Sequence, residues 1–160
     1  MLQVYIRNSG DAYRLLADAL ALHGIGKLPE IARTAQGKPY FPALPGLHFN
    51  LSHSAEWSLC ALSDAPVGVD IEVIRPRRES LWKHCLTDRE YALFLESGGG
   101  WPEFYRFWTL KEAWCKYEGK ALGQPRRWPT PPPCPHRSYT GAGYAAAVCG
   151  EEIPKNLTFL

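Results

Sequence analysis

An aromatic-rich segment at residues 102–117 constrains the fold more than any other part of the sequence. Its large apolar residues recur at helical spacing and would pack against a core: Phe107, Leu110, Trp114 and Tyr117. A second ridge, on a different face, carries Trp108, Glu112 and Lys116. A Glu four residues before a Lys is a common solvent-exposed pair. The sequence therefore predicts a helix buried along one face, whose second face is either a surface ion pair or part of a functional site.

A predicted strand at residues 67–72 supplies two more acidic side chains. Strand alternation places Asp70 and Glu72 on one face, with Val69 and Ile71 on the other. With Glu112 these make a set of carboxylates without nearby His or Cys, and hard oxygen ligands of this kind suit Mg²⁺. Two solvated acids on an exposed strand face remain the alternative interpretation.

Composition narrows the class of protein. A chain of 160 residues fits one compact domain or two small halves. The net charge of +2 is too small to indicate a nucleic-acid partner. Five cysteines without a C-x-x-C pair favour reduced thiols over a disulfide framework or a zinc site. Because no apolar run reaches the ~20 residues that span a bilayer and no signal-peptide pattern begins the chain, we expect a cytoplasmic protein without a membrane partner.

The order of predicted elements contains a faint repeat. A helix at 12–23 is followed by a polar loop and a strand at 57–62, and the helix at 102–117 is followed by a loop and a strand at 144–149. The proline-dense residues 125–135 predict a loop. We therefore expect a single domain of two small α+β halves, about 1–66 and 67–160, with a cleft between them.

Further polar residues are candidates for binding an anion. His53 lies between Ser52 and Ser54 at a predicted strand end, where hydroxyls and an imidazole can pair with phosphate oxygens. A lone His is more often an ordinary surface or core residue, and a hydrolase nucleophile is weakly supported because no glycine pattern surrounds these serines. Lysines that would matter only if the fold brings them together are Lys38, Lys111 and Lys116.

Four stretches, taken in order, resemble a known family. They are residues 37–39 (Gly-Lys-Pro), 49–54 (Phe-Asn-Leu-Ser-His-Ser), 67–72 (Val-Gly-Val-Asp-Ile-Glu) and 107–113 (Phe-Trp-Thr-Leu-Lys-Glu-Ala), with Lys116 and Gly119 following. The set resembles 4′-phosphopantetheinyl transferases of the surfactin-synthetase-activating type, over about residues 11–124 and again in the strand at 143–149.

The resemblance implies a fold and a reaction. The fold is an α+β pseudo-dimer of two similar halves, each a short antiparallel sheet with a packed helix. The reaction transfers the phosphopantetheine arm of coenzyme A to a serine of an apo acyl, peptidyl or aryl carrier protein and releases adenosine 3′,5′-bisphosphate. The enzymes serve fatty acid, polyketide or nonribosomal peptide biosynthesis, and the pseudo-dimer implies a monomer.

The resemblance also implies roles for single residues. The Mg²⁺ ligands, with Mn²⁺ as a substitute, would be Asp70, Glu72 and Glu112. Glu112 would also activate the carrier serine, directly or through water, and Lys116 would offset charge on the leaving phosphate. Contacts to coenzyme A would come from Ser52 and His53 at the phosphates, Lys38 and Pro39 at the edge of the adenine site, and Lys111 at a further phosphate.

The chain departs from the family pattern at both ends. The segment before Asp11 is short, so we assign Arg14 as a substitute for missing basic contacts to the 3′-phosphate. The segment after Gln124 is short and proline-rich, so we expect one or two strands of the second half to be absent.

Docking of the carrier protein is predicted beside the acidic strand, with a solvated basic loop as the alternative interpretation of the same arginines. The basic residues that follow this strand are Arg75, Arg77 and Arg78, with Trp82 and Leu86 as an apolar anchor one helical turn apart. The alternatives for the whole chain are a non-catalytic coenzyme A or carrier-protein binding module and an unrelated Mg²⁺-dependent phosphohydrolase.

Overall fold

The structure is a computed structural model that describes residues 1–160. Its strands are β1 (Leu2–Asn8), β2 (Ala32–Arg33), β3 (Pro39–Tyr40), β4 (His48–Ser54), β5 (Trp57–Ser63), β6 (Gly68–Val73), β7 (His136–Gly141), β8 (Tyr144–Cys149) and β9 (Thr158–Phe159). Its α-helices are α1 (Ala12–Leu22), α2 (Ser80–Cys85), α3 (Asp88–Glu96) and α4 (Trp101–Glu118). The fold is therefore mixed α+β, as the sequence predicts.

Two sheets pack face to face between two helices. The first sheet has the order β4-β5-β1-β9, and the second has the order β6-β8-β7. Alternate residues of both sheets, including Val4, Leu59, Val69 and Val148, form a shared apolar core. Helix α1 packs on the outer face of the first sheet and α4 on the outer face of the second. The layers are thus helix, sheet, sheet, helix.

Local sequence signals explain where the helices begin and end. Asp11 caps α1 by accepting a hydrogen bond from the Arg14 N–H. Thr87 and Glu90 form the reciprocal capping box that their spacing predicts. Helix α4 ends at Gly119, which adopts a left-handed conformation with φ of 68° that glycine accepts at little cost.

The proline-rich segment and the C-terminal residues differ from the sequence-based predictions. Residues Pro125–Arg127 form one 3-10 turn within the predicted loop. Strand β7 follows the prolines directly, pairs with β8 and gives the second sheet a third strand. Strand β9 returns to the first sheet and pairs parallel with β1, so the chain crosses the expected boundary between the halves. None of the helices combines the length and the apolar character that crossing a bilayer requires.

Strands β4 and β6 meet along a seam made by side chains. Backbone N–H groups of Val69, Ile71 and Val73 donate to side-chain oxygens on β4 at 2.9, 3.2 and 3.1 Å. The three acceptors are alternate residues of β4: Asn50, Ser52 and Ser54. This β4–β6 seam joins the two sheets, and the matching order of donors and acceptors shows that the strands run in the same direction.

Gly68 lets helix α4 approach β6 backbone to backbone. A Cβ at this position would lie 2.1 Å from the Ala113 carbonyl oxygen and 2.2 Å from the Tyr117 nitrogen. These are main-chain atoms of α4, so they cannot move aside as a flexible side chain would. The absence of a side chain at Gly68 therefore sets the distance between the helix that carries Glu112 and the strand that carries Asp70.

We expect Gly68→Ala to lower the free energy of unfolding by about 3 kcal/mol, because overpacking a well-filled site typically costs about 1–3 kcal/mol. Denaturant unfolding followed by circular dichroism measures this change. The control is Gly46→Ala, where a Cβ meets no atom within 4 Å, and its effect should stay within about 0.5 kcal/mol. Equal stability of the two variants would contradict the close approach.

Candidate active site

The carboxylate of Asp70 is the centre of the polar cluster between β6 and α4. Its Oδ1 accepts a 2.7 Å hydrogen bond from Lys116 Nζ and a 2.8 Å hydrogen bond from Ser52 Oγ. Its Oδ2 is buried and has no hydrogen-bond partner. Asp70 is 4 % exposed, so this oxygen faces the interior of the cluster rather than bulk water. A buried carboxylate oxygen without a donor favours a cation beside it.

Two further acids complete the cluster. Glu72 accepts a 2.7 Å hydrogen bond from Ser54 Oγ. Burial, followed by the negative charge of Asp70, raises the pKa of Glu112 to about 7; Lys116 opposes this shift. The charge of Asp70 therefore reaches the α4 carboxylate across the interface between β6 and α4.

The donor chemistry of this cluster fits a hard divalent cation. The three carboxylates are close enough to interact through their charges, although no group of three lies at ligating distance. Asp70 Oδ2 is an unpartnered, buried, negatively charged oxygen, and oxygen ligands of this kind are what Mg²⁺ prefers. The residues that would hold such an ion are Asp70, Glu72 and Glu112.

A large cavity opens next to the cluster. Its volume is about 610 Å³, and it lies between the N-terminus of α1, the β2–β3 hairpin, β4 and the C-terminal end of α4. Its basic lining residues are Arg33, Lys38, His53, Lys116 and Lys120, whereas Asp11 is the only acid. A site with this balance of charge suits a ligand with several negative groups.

Most of the residues that the sequence predicts for coenzyme A lie in this cavity. Lys38, Pro39, Ser52, His53 and Lys116 all line it. Hydrogen bonds within the protein already occupy the side chains of two of these residues, Lys38 and Ser52. Lys38 Nζ donates to the Tyr117 carbonyl at 2.8 Å and thereby ties the hairpin to the end of α4. The Ser52 hydroxyl already bonds Asp70, the Ile71 N–H and Lys116, so it is not free for a phosphate.

The predicted phosphate contact at Lys111 is wrong. Its ammonium group is fully buried and donates to both carboxylate oxygens of Glu90, at 2.8 and 2.7 Å, and to the Trp128 carbonyl at 2.8 Å. The side chain leaves α4 on a different face from Glu112, since consecutive helical residues are rotated by about 100°. Lys111 therefore holds α4 to α3 and to the segment after Gly119, away from the cavity.

Arg14 does not line the cavity, and Arg33 does. Arg14 is exposed, and its Nε lies 3.6 Å from Asp18 Oδ2 on the same helix. Its contact to the 3′-phosphate therefore stays a prediction. Arg33 pairs with Pro39 in the β2–β3 hairpin and donates to the Gly37 carbonyl at 2.9 Å. The sequence signal for Arg33 is its position four residues before Gly37 of the Gly-Lys-Pro stretch. Lys120, just after the helix stop, gave no comparable signal.

A second, smaller cleft lies beside Glu72. Its volume is about 70 Å³, and it is mostly apolar: Leu81, Cys85, Phe104, Tyr105 and Trp108 line it together with Glu72 and Arg77. The carboxylate cluster therefore lies between the cationic cavity, which Lys116 lines, and this cleft.

The predicted apolar anchor for a carrier protein is wrong at Leu86. This side chain is fully buried in the α3–α4 core and offers no docking surface.

Comparison with known proteins gives the family. The sequence model of the 4′-phosphopantetheinyl transferase superfamily matches residues 66–159, which include β6, α4 and β8. The chain belongs to this superfamily. Its match thus covers Asp70, Glu72, Glu112 and Lys116, the residues that form the polar cluster.

Three relatives of this chain are 4′-phosphopantetheinyl transferases by name. The chain is 35% identical over 125 residues to the 4′-phosphopantetheinyl transferase Sfp of Bacillus subtilis strain 168, which covers 72% of this chain and 56% of that protein. A second 4′-phosphopantetheinyl transferase of Bacillus subtilis is 39% identical over 94 residues, which is 56% of this chain and 41% of that protein. The 4′-phosphopantetheinyl transferase AcpT of Escherichia coli K12 is 42% identical over 119 residues, or 69% of this chain and 59% of that protein. The chain spans about half the length of the relatives it matches.

Proposed function

We propose that the chain transfers the 4′-phosphopantetheine arm of coenzyme A to a serine of an apo carrier protein. One observation carries this proposal: Lys116 lines the cationic cavity and at the same time bonds Asp70 at 2.7 Å. The Lys116 side chain thus links the cavity, which suits a polyanionic ligand, to the carboxylate cluster beside it. Membership of the superfamily supports the choice of reaction.

The chain's own residues provide binding, positioning and a proton acceptor. Arg33, His53 and Lys120 would pair with the phosphates of coenzyme A in the cavity. Asp70 and Ser52 hold Lys116 in place, so that its ammonium can offset charge on the departing phosphate. Charge on that group grows in the transition state, and a fixed cation there stabilises the transition state more than the ground state.

The transfer is a nucleophilic displacement at phosphorus. The serine oxygen of the carrier bonds to the phosphorus that carries the pantetheine arm, and the bond from this phosphorus to the leaving oxygen breaks. Adenosine 3′,5′-bisphosphate leaves with that oxygen, and Glu112 accepts the serine proton, directly or through water. Mg²⁺, held by Asp70, Glu72 and Glu112, would neutralise charge on the pyrophosphate.

We further propose the pseudo-dimeric arrangement of the two halves. Each half has one sheet with one long helix on its outer face, and the β4–β6 seam joins the two edges. The first half differs from the second through the parallel strand β9. A single chain then supplies both sides of the cavity, and we propose that it acts as a monomer. Five free cysteines support a reducing, cytoplasmic location.

We propose that the carrier protein docks where the small cleft opens beside Glu72. Arg77 lines this cleft, and Arg75 and Arg78 are exposed next to it. An acidic surface around the modified serine would complement these arginines. The pathway, whether fatty acid, polyketide or nonribosomal peptide biosynthesis, follows from which carrier is accepted.

The test is an intact-mass assay with coenzyme A and a panel of apo carrier proteins. We expect the mass of the phosphopantetheine arm on the carrier with Mg²⁺ or Mn²⁺ and none with excess chelator, because the carboxylate set needs a cation to bind a pyrophosphate. A carrier whose serine is replaced by alanine is the control. Binding of coenzyme A without mass transfer would instead identify a non-catalytic module, and phosphate release without transfer would identify a phosphohydrolase. Full transfer in excess chelator would contradict the metal assignment.

A further inference from the structure

The serines of the β4–β6 seam use both hydrogen-bonding capacities of their hydroxyl groups. Ser52 Oγ accepts the Ile71 N–H at 3.2 Å, and Ser54 Oγ accepts the Val73 N–H at 3.1 Å. A hydroxyl has one hydrogen to donate. Because an N–H occupies an acceptor position of each oxygen, the hydrogen is directed elsewhere.

Each hydroxyl donates its hydrogen to a neighbouring carboxylate of β6. Ser52 donates to Asp70 at 2.8 Å, and Ser54 donates to Glu72 at 2.7 Å. The third acceptor of the seam, Asn50, bonds the Val69 N–H, and the residue before Val69 is Gly68, which has no carboxylate. The pattern of one backbone bond and one carboxylate bond thus occurs only at the two acids of the cluster.

We propose that Ser54 is a positioning residue that fixes the carboxylate of Glu72, and through it the cation site of the reaction proposed above. Ser54 is the more informative of the two serines. It lines neither the cationic cavity nor the cleft, and its hydroxyl bonds only Val73 and Glu72. Ser52 also touches Lys116, so its replacement would disturb several groups at once.

The physical reason lies in the freedom of a glutamate side chain. Glu72 is only half-buried, and without a partner its carboxylate would sample several rotamers. A hydrogen bond from a hydroxyl to an ionised carboxylate is short and stronger than a neutral one. Since the serine is itself held by the backbone of β6, it selects one orientation of Glu72. Groups of this kind that orient a ligand of a metal typically change affinity or activity by about 10–100-fold when removed.

The experiment compares the wild-type chain with Ser54→Ala and Ser54→Thr. Mn²⁺ affinity is measured by electron paramagnetic resonance in the absence of coenzyme A, and kcat and KM are measured in the transfer assay. We expect Ser54→Ala to weaken Mn²⁺ binding and to lower kcat, each by about 10-fold, while KM for coenzyme A changes less than about 2-fold. Ser54→Thr keeps the hydroxyl and should restore both values.

Two further variants separate positioning from a loss of packing. Ser58→Ala removes another strand serine, whose buried hydroxyl bonds the Ser9 carbonyl at 2.6 Å, and should lower the melting temperature without changing Mn²⁺ affinity. In a Glu72→Ala background, Ser54→Ala should have no further effect on Mn²⁺ affinity, because its target is gone.

Different results would contradict the positioning role of Ser54 and the proposed transferase function. If the wild type binds Mn²⁺ but transfers no arm to any carrier, the function is wrong, while the Mn²⁺ comparison still decides the role of Ser54. Unchanged Mn²⁺ affinity in Ser54→Ala, with only a lower melting temperature, would overturn the positioning role. The same conclusion follows if the wild type binds no Mn²⁺, or if the Ser54→Ala effect persists without Glu72.

Discussion

Asp70→Asn should reduce transfer of the phosphopantetheine arm at least about 100-fold, the scale of losing one preorganised charge at a reaction centre. The amide has nearly the same shape, so the fold should survive. It lacks the charge that holds Lys116 Nζ at 2.7 Å, and it replaces one oxygen of the cluster with an N–H donor. The initial rate of mass gain on the carrier, at saturating coenzyme A, measures the effect.

The matched control for this substitution is Asp88→Asn. Asp88 has a side chain 97% exposed and pairs with Arg126 at the surface, so its replacement should leave the rate within about 2-fold, as surface pairs contribute little. An Asp70→Asn variant that keeps most of the wild-type rate would place the chemistry elsewhere.

Lys111→Met should lower the free energy of unfolding by about 3–5 kcal/mol, the usual effect of removing one partner of a buried ion pair. The Lys111 side chain is fully buried, and its partner Glu90 is 1 % exposed. Methionine fills a similar space but leaves the Glu90 carboxylate without its counter-charge. Denaturant unfolding measures the loss, and Lys27→Met, at an exposed lysine, should change stability by less than about 0.5 kcal/mol.

Replacing both partners tests the cause of that loss. The double variant Glu90→Gln with Lys111→Met leaves no buried charge at this pair, so it should be more stable than Lys111→Met alone.

The same pair makes stability depend on pH. Burial alone would raise the pKa of Glu90, but hydrogen bonds from Lys111, Thr87 and Thr130 outweigh burial and hold the pKa below its ordinary value. The stability from this carboxylate is therefore present above its unfolded pKa and is lost as the pH falls through its folded pKa. The double variant should lack that acid-dependent loss.

Local signals in the sequence predict much of the cluster but misplace one lysine. The alternation of the residues in β6 predicts that Asp70 and Glu72 lie on one face of the strand. The spacing of Glu112 and Lys116 predicts that these two lie on one face of α4. Lys111 was misassigned because it is adjacent to Glu112 in sequence, whereas the helix turns the two side chains apart. Its partner, Glu90, has in the sequence only the spacing of a helix cap with Thr87.

Contacts that depend on the alignment of distant strands were not predicted. The hydrogen bonds of Ser52 and Ser54 need β4 and β6 to lie side by side in one register, and no periodic pattern in the sequence fixes that register. Strand β7 was missed because the prolines before it mask its start and its exposed, polar residues show no clear alternation. Cavity residues such as Arg33 and Lys120 come together only once the two halves are packed.

The seam also divides the backbone amides of β6 into two populations. In an antiparallel ladder only alternate N–H groups of an edge strand face its neighbour, so those of Val69, Ile71 and Val73 point to β4 and the intervening ones point to β8. Hydrogen exchange of the first set therefore reports separation of the two halves, while exchange of the second reports unfolding of the sheet. Side-chain acceptors can rotate away without breaking a ladder, so the first set should exchange through a lower-energy opening. Coenzyme A bound in the cavity that we propose for it, between the halves, should slow exchange at these three amides more than at their neighbours.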